Sequence, residues 1–149
     1  MNRRGLTTLL AAAALALLPW SAQAERSLAL GDYTIHYNAF NASTLTPEVA
    51  NQHGILRSRY QGVVNVAVIR EVPGTTGEPA SAVVSGHATL PTGGEMPLEF
   101  REVREGTAIY YLAEFRIHDT QTLDFVLAVQ PRGGTETADV RFSQQFFTD

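Results

Sequence analysis

The sequence predicts an all-β domain, an immunoglobulin-like antiparallel β-sandwich of about seven to eight strands with one short helix. Three observations lead there. Apolar residues recur at every second position through most of the chain, Gly and Pro clusters interrupt those runs at short intervals, and one segment alone carries helix-capping chemistry. Period two sends alternate side chains to opposite faces of a pleated strand, so such a run marks a strand buried on one side. Short strands with closely spaced turn signals indicate a sandwich or barrel rather than alternating β and α units.

The elements follow in order. Tyr33, Ile35, Tyr37 and Ala39 share one face of the first strand, entered from a turn at Gly31-Asp32. Val63 to Ile69 is apolar on nearly both faces, which suits a central strand covered on both sides. Val83-Val84 lies in a strand that passes Gly86 and reaches Leu90, and Met96, Leu98 and Phe100 lead a further strand into Arg104-Glu105-Gly106. There the glycine supplies the positive φ of a tight hairpin. The return strand puts Ile109, Tyr111, Ala113, Phe115 and Ile117 on one face. Leu123, Phe125, Leu127 and Val129 alternate strictly after it, and Val140, Phe142 and Phe146-Phe147 close the chain. Turns fall at Pro73-Gly74, Gly77, Pro79, Pro91, Gly93-Gly94 and Gly133-Gly134.

One helix interrupts this order. Thr46 can cap free amide groups, Pro47 fits the first turn, Glu48 favours the positive end of the dipole and Gly54 stops the helix. The expected helix runs from Pro47 to His53 and docks across one open end of the sandwich with Val49 inward, since two turns cannot stand alone. An eight-stranded outer-membrane barrel is the runner-up. It needs a polar lumen, against which the doubly apolar Val63–Ile69 run argues, and the Phe-Phe-Thr-Asp ending lacks the usual terminal aromatic residue.

The first 24 residues read differently from the rest. Arg3-Arg4, an Ala- and Leu-rich run from Leu6 to Leu18, and Ala22-Gln23-Ala24 follow the order of a signal peptide: basic, apolar, then small residues for the peptidase. The apolar run is shorter than the roughly 20 residues that span a bilayer. Residues 1–24 are therefore expected to be cleaved. Residues 25–149 are expected to form a single exported domain, periplasmic in location, with no membrane insertion of the mature chain.

Composition narrows the chemistry. The 149-residue chain has no Cys, so thiol catalysis, disulfides and Cys-based metal sites are excluded. Its 11 basic residues, all Arg, are outnumbered by 15 acidic ones, for a net charge of −4 that becomes more negative once Arg3 and Arg4 are removed. An acidic balance argues against nucleic acid and anionic lipid as partners, since both demand basic patches.

A resemblance adds to this reading. Gly31 to Phe40, Leu45 to Ala50, Gly54-Ile55 with Arg57-Ser58, Phe100 to Gly106 running into Ala108 to Phe115, and the Arg141-Phe142 to Phe146 ending together resemble proteobacterial exported proteins. They are similar to the domain-of-unknown-function family numbered 4426, over nearly the whole mature chain. The resemblance implies a Gram-negative envelope location and one exported domain, and it assigns no activity.

No motif supplies a catalytic constellation. None of the serines lies in Gly-x-Ser-x-Gly. Glu102 and Glu105 interleave with Arg101 and Arg104 about a hairpin, the pattern of a solvated, ion-paired turn rather than of a glycosidase acid pair. His36, His53, His87 and His118 share no metal-ligand spacing, and no cofactor is expected. The chain is accordingly read as a non-enzymatic binding or interaction module of the cell envelope. Its partner is a protein or a cell-wall component, and the oligomeric state stays open. The candidate surface consists of His36, Asn38, Arg101, Arg104 and Tyr110: if Tyr37 and Tyr111 face the core, His36, Asn38 and Tyr110 face outward, and Tyr110 lies near Arg101 or Arg104. The alternative is a metal-binding protein or hydrolase built on His36 with His53, His87 or a carboxylate.

Overall fold

The structure is a computed structural model, and it describes residues 26–148. The expected signal peptide and its expected cleavage point lie outside the described residues. Among the described residues, ten strands form two separate antiparallel sheets. The larger has the order β1 (Arg26–Leu30), β2 (Tyr33–Asn41), β3 (Gln61–Arg70), β8 (Ala108–Arg116), β7 (Arg101–Glu105), with the short β4 (Glu78–Ala80) also paired to β3. The smaller has the order β10 (Ala138–Phe146), β9 (Gln121–Pro131), β5 (Ala82–Thr89), β6 (Glu95–Leu98). The fold is thus β-rich, with two sheets and one short helix. The two sheets have different strands at their edges, so the described residues do not form the single closed barrel considered as the runner-up.

The alternation read from the sequence sets which face of each strand is inward. Ile35, Val64, Val66, Val68, Ile109, Tyr111, Ala113 and Phe115 of the larger sheet meet Leu123, Phe125, Leu127, Val129 and Val140 of the smaller in one buried cluster. Phe115 packs edge-on to Phe125 and Phe146, with centroids 5.3 Å apart in each pair, and Phe125 stacks on Phe142 at 4.8 Å. Gly62, directly opposite Phe115, leaves room for that ring: a Cβ there would lie 2.3 Å from the ring carbons. Tyr111 ties strands together by polar contacts as well. Its hydroxyl accepts from the Ala82 amide at 2.7 Å and donates to Glu102 at 2.9 Å.

The strand count exceeds the expected seven to eight for three physical reasons. Arg26–Leu30 pairs with β2 through the Gly31-Asp32 turn, although its apolar signal is weak because it is an edge strand. Glu78-Pro79-Ala80 reads as a turn but pairs with β3, and an edge position tolerates its proline. The run from Met96 to Gly106 is two strands rather than one. It leaves the smaller sheet at Leu98 and joins the larger at Arg101, with Glu99-Phe100 making the crossing.

Helix α1 (Pro47–Gln52) stops one residue before the expected end. The Thr46 hydroxyl accepts from the Val49 amide at 3.3 Å. At the far end the Ile55 amide donates to Ala50 O (2.8 Å) and the Gly54 amide to Asn51 O (3.2 Å), with Gly54 at φ +64°. That is the six-to-one closure in which a left-handed glycine satisfies the last carbonyls. The expected orientation is not adopted: Val49 is exposed, and Ala50 and Ile55 are the buried residues. The Schellman closure carries Ile55 back onto the helix, so the inward stripe is Ala50 with Ile55. The helix lies on the outer face of the larger sheet, not across an open end. There Ala42, Ala50, Ile55, Val63 and Leu112 form a second buried cluster, with Phe40, Leu45, Val103 and Tyr110 against it.

Candidate functional site

The outer face of the larger sheet is covered over only part of its length. The segment from Ala42 to Ile55 covers Val63 and Leu112, and Arg57 pins it by donating to Leu45 O at 2.8 Å. Beyond that cover, β3 forks. Its pairing with β8 ends at Val66 opposite Tyr111, and from Val68 onward its partner on that edge is β4. Ala108, Ile109 and Tyr110 are thereby paired with β7 but not with β3.

At this fork lies a groove of about 590 Å³, within the range of small-ligand sites. His36 and Asn38 of β2, Asn65, Ala67 and Ile69 of β3, and Tyr110 of β8 line it, with Pro79 on one wall. The register explains the floor: His36 stands opposite Ala67, and Asn38 opposite Asn65. Asn65 Oδ1 is shielded from solvent and accepts no hydrogen bond from the described residues. A desolvated amide oxygen without a donor costs about 1–3 kcal/mol.

The far end of the groove reaches Arg26 and Gln144. Arg26 Nη2 donates to Gln144 Oε1 at 3.2 Å, and the guanidinium lies over the Phe142 ring, 5.0 Å from its centroid. Arg26 Nη1 is buried and has no hydrogen-bond acceptor among the described residues. Among the described residues that line the groove, Arg26 is the one permanently charged side chain, and none is Asp or Glu.

The five residues singled out from the sequence separate into three groups. His36, Asn38 and Tyr110 line the same groove. Arg101 is on the same sheet face but opposite Leu112, where it makes a 4.0 Å ion pair with Glu114. The residue opposite Tyr110 is Val103, not an arginine. Arg104 is offset by one residue from Val103, so it emerges on the other face and pairs with Glu102 at 3.3 Å. The Glu102 carboxyl is held below its ordinary value, first by the Tyr111 hydrogen bond and then by Arg104, while burial pushes the Tyr111 hydroxyl upward.

Sequence reasoning missed Asn65, Ala67 and Arg26. Asn65 had a signal: it is the lone polar residue in the Val63–Ile69 run. Arg26 had none, because its place depends on pairing with β2 and on contact with the other sheet.

Among the described residues, no metal-ligand group forms around the histidines of the alternative reading. His36 follows the core residue Ile35 and His87 precedes the core residue Ala88, so the two emerge on the outer faces of different sheets. His53 meets Glu105 at 3.4 Å and His87 meets Glu95 at 3.6 Å. Among the described residues, no group of three or more His, Cys, Asp or Glu could hold a metal ion. No helix among them is long and apolar enough to cross a membrane.

Residues 27–149 match the family model described as Domain of unknown function (DUF4426). The chain belongs to the DUF4426 family. A crystal structure of a DUF4426 family protein from Pseudomonas aeruginosa PAO1 is 41% identical, with a TM-score of 0.71, over 86% of this chain and 98% of that one. This DUF4426 chain also shares its fold with FetP of uropathogenic Escherichia coli strain F11, recombinantly expressed in the periplasm of E. coli BL21(DE3), at 11% identity and a TM-score of 0.57 over 83% of this chain and 93% of that one. A copper-bound variant of the same FetP gives 10% identity and a TM-score of 0.56, over 83% and 90% of the respective chains. No curated protein matches the DUF4426 chain.

Proposed function

We propose that this DUF4426 protein is a non-enzymatic binding module of the cell envelope. It acts in the periplasm after removal of residues 1–24, and an immunoglobulin-like sandwich serves as its rigid support. The observation that carries the reading is the groove at the β3 fork. It has the volume of a small-ligand site, polar side chains from three strands converge on it, and its floor holds a desolvated Asn65 oxygen. A sheet that served only as scaffold would be expected to place an apolar residue there, as β3 does at Val63. The basic, apolar, small-residue order of residues 1–24 supports export. Copper, present in one FetP structure, is not the ligand proposed here, because no group of three or more His, Cys, Asp or Glu among the described residues could hold a metal ion.

The test uses residues 25–149, labelled for NMR and titrated with the low-molecular-mass fraction of a Gram-negative envelope extract. Shift changes should cluster at His36, Asn38, Asn65, Ala67 and Tyr110. Changes confined to other surfaces, or none at all, would remove the groove from the account.

A further inference from the structure

We infer that the groove on the outer face of the larger sheet recognises an N-acetylated amino sugar, its acetamido group over Ala67 and its ring hydroxyls at Asn38. This inference rests on the binding-module reading above and adds the chemical class of the ligand.

The site is built from one face only. Asn65 and Ala67 alternate with the core residues Val64, Val66 and Val68, and Tyr110 lies between the core residues Ile109 and Tyr111. His36 and Asn38 stand directly opposite Ala67 and Asn65. All of them share the outer side of the larger sheet. Arg26, opposite Tyr37, directs its guanidinium to Phe142 and Gln144 between the sheets and takes no part. The charged side chains that β7 and β8 bring to the outer side are engaged elsewhere, Arg101 with Glu114 at 4.0 Å and Glu105 with His53 at 3.4 Å. The groove is left with amide, imidazole, phenol and methyl groups. A lining without a fixed charge favours an uncharged ligand, since an ion would surrender its hydration for no counter-charge.

Shape narrows the class further. Leu112 is the partner of Asn65, so Tyr110, two residues earlier on β8, comes level with Ala67. A methyl group thus lies between His36 on β2 and Tyr110 on β8, a notch flanked by two rings and floored by the smallest apolar side chain. Tyr110 also packs against the covered cluster, which holds its ring in place. A planar acetamido group matches such a notch. Its methyl rests on Ala67, its N–H can satisfy the shielded Asn65 Oδ1, and its carbonyl can accept from a carboxamide N–H. In the neighbouring row Asn38 is exposed and offers a donor and an acceptor to the hydroxyls of the attached ring.

The probes are the methyl glycosides of N-acetylglucosamine and of glucose, together with N-butylacetamide, each titrated into labelled residues 25–149. The N-acetylglucosaminide should bind saturably with shifts at Asn38, Asn65, Ala67 and Tyr110. The glucoside lacks the acetamido group and N-butylacetamide lacks the ring, so each should bind at least about tenfold more weakly, the loss of one or more hydrogen bonds. The same sugar has two envelope sources, the wall glycan and surface polysaccharides, and two disaccharides separate them. Tighter binding of N-acetylglucosamine linked to N-acetylmuramic acid indicates the wall, and tighter binding of N,N′-diacetylchitobiose a neutral polysaccharide.

Asn38→Ala, at an exposed position, should weaken the N-acetylglucosaminide about fivefold. Ala67→Leu, which fills the notch while leaving the inter-sheet core untouched, should abolish its binding. Circular dichroism checks that each variant keeps its strands. If the glucoside or N-butylacetamide binds as tightly as the N-acetylglucosaminide, or if either variant keeps the parental affinity, the inference is overturned. It is also overturned if none of the probes binds. In that last case, groove shifts produced by the envelope extract would leave the broader binding reading standing and refute only the amino sugar.

Discussion

On the outer face of the larger sheet, the half around Val63 and Leu112 is covered and the half around Asn65, Ala67 and Tyr110 is open, although the same strands supply both. Over the covered half, Ala50 and Ile55 descend from α1 and its Schellman closure, and the described residues of the buried cluster are all apolar. Over the open half, the strand positions two and four residues further along β3 hold Asn65 and Ala67, and β8 has parted from β3. The difference teaches that an identical pleat can serve as core or as site, depending on whether a neighbouring segment covers it. Where cover is present, the outward positions are selected for volume. Where it is missing, they hold small and amide side chains that leave a groove.

Truncation should separate the halves most sharply. Val63 is fully buried under the helix segment, so Val63→Ala should cost about 2–3 kcal/mol from lost burial and the cavity left behind. Ile69, partly buried at the groove, should cost less, about 1–2 kcal/mol as Ile69→Ala by the same area argument. Urea denaturation of the pair reads the contrast directly, and equal losses would erase it.

The hydrogen bonds of Tyr111 mark the inward side of the sheet as a third environment. Tyr111→Phe strands the Ala82 amide and should cost about 1–3 kcal/mol, measured by thermal unfolding. If it proves neutral, water reaches that amide and the sheets are less tightly apposed at β5 than the contact implies. Next in size is the cap: Thr46→Ala should cost about 1 kcal/mol and should loosen the cover over Val63. The readout is faster amide hydrogen exchange at Ala50 and Ile55, with Asn65 and Ala67 unaffected.

The smallest expected effect is on pH dependence. The Glu102 carboxyl sits below its ordinary value of 4.5 because Tyr111 and Arg104 favour the ionised form. A depressed carboxyl contributes stability that is complete above the unfolded value and is lost as pH falls through the folded one. Asp119, bonded by the Thr148 amide, is lowered from 3.8 and acts in the same sense. Unfolding free energy should therefore decline below about pH 4.5, and Glu102→Gln should flatten the upper part of that decline. An unchanged slope in the variant would mean that the Tyr111–Glu102 contact does not persist in solution.

Much of the inward-facing architecture was legible from residue order, because period two records burial on one side: Tyr33, Ile35, Tyr37 and Ala39, and later Leu123 to Val129, lie where alternation put them. The cap and stop at Thr46 and Gly54 were legible because capping chemistry is local. The inward residue of the helix was not, since with so short a helix the choice between Val49 and Ala50 is made by the sheet beneath it. The sheet crossing at Glu99-Phe100 was equally hidden, because alternation continues through a strand that changes partners. For the groove, His36, Asn38 and Tyr110 could be read as outward-facing. Arg26 could not be associated with them, since its location follows from β1–β2 pairing and a contact to β10.

The central claim is that the open half is kept open at a cost in stability, and Asn65→Val tests it most directly. Valine keeps the strand and removes the desolvated oxygen. Thermal unfolding of residues 25–149 should show the variant more stable than the parent by about 1 kcal/mol, a rise in Tm of roughly 3–6 °C for a domain of this size, together with loss of groove binding. A variant that melts several degrees lower would show that Asn65 supports the fold rather than a ligand, and would contradict the account.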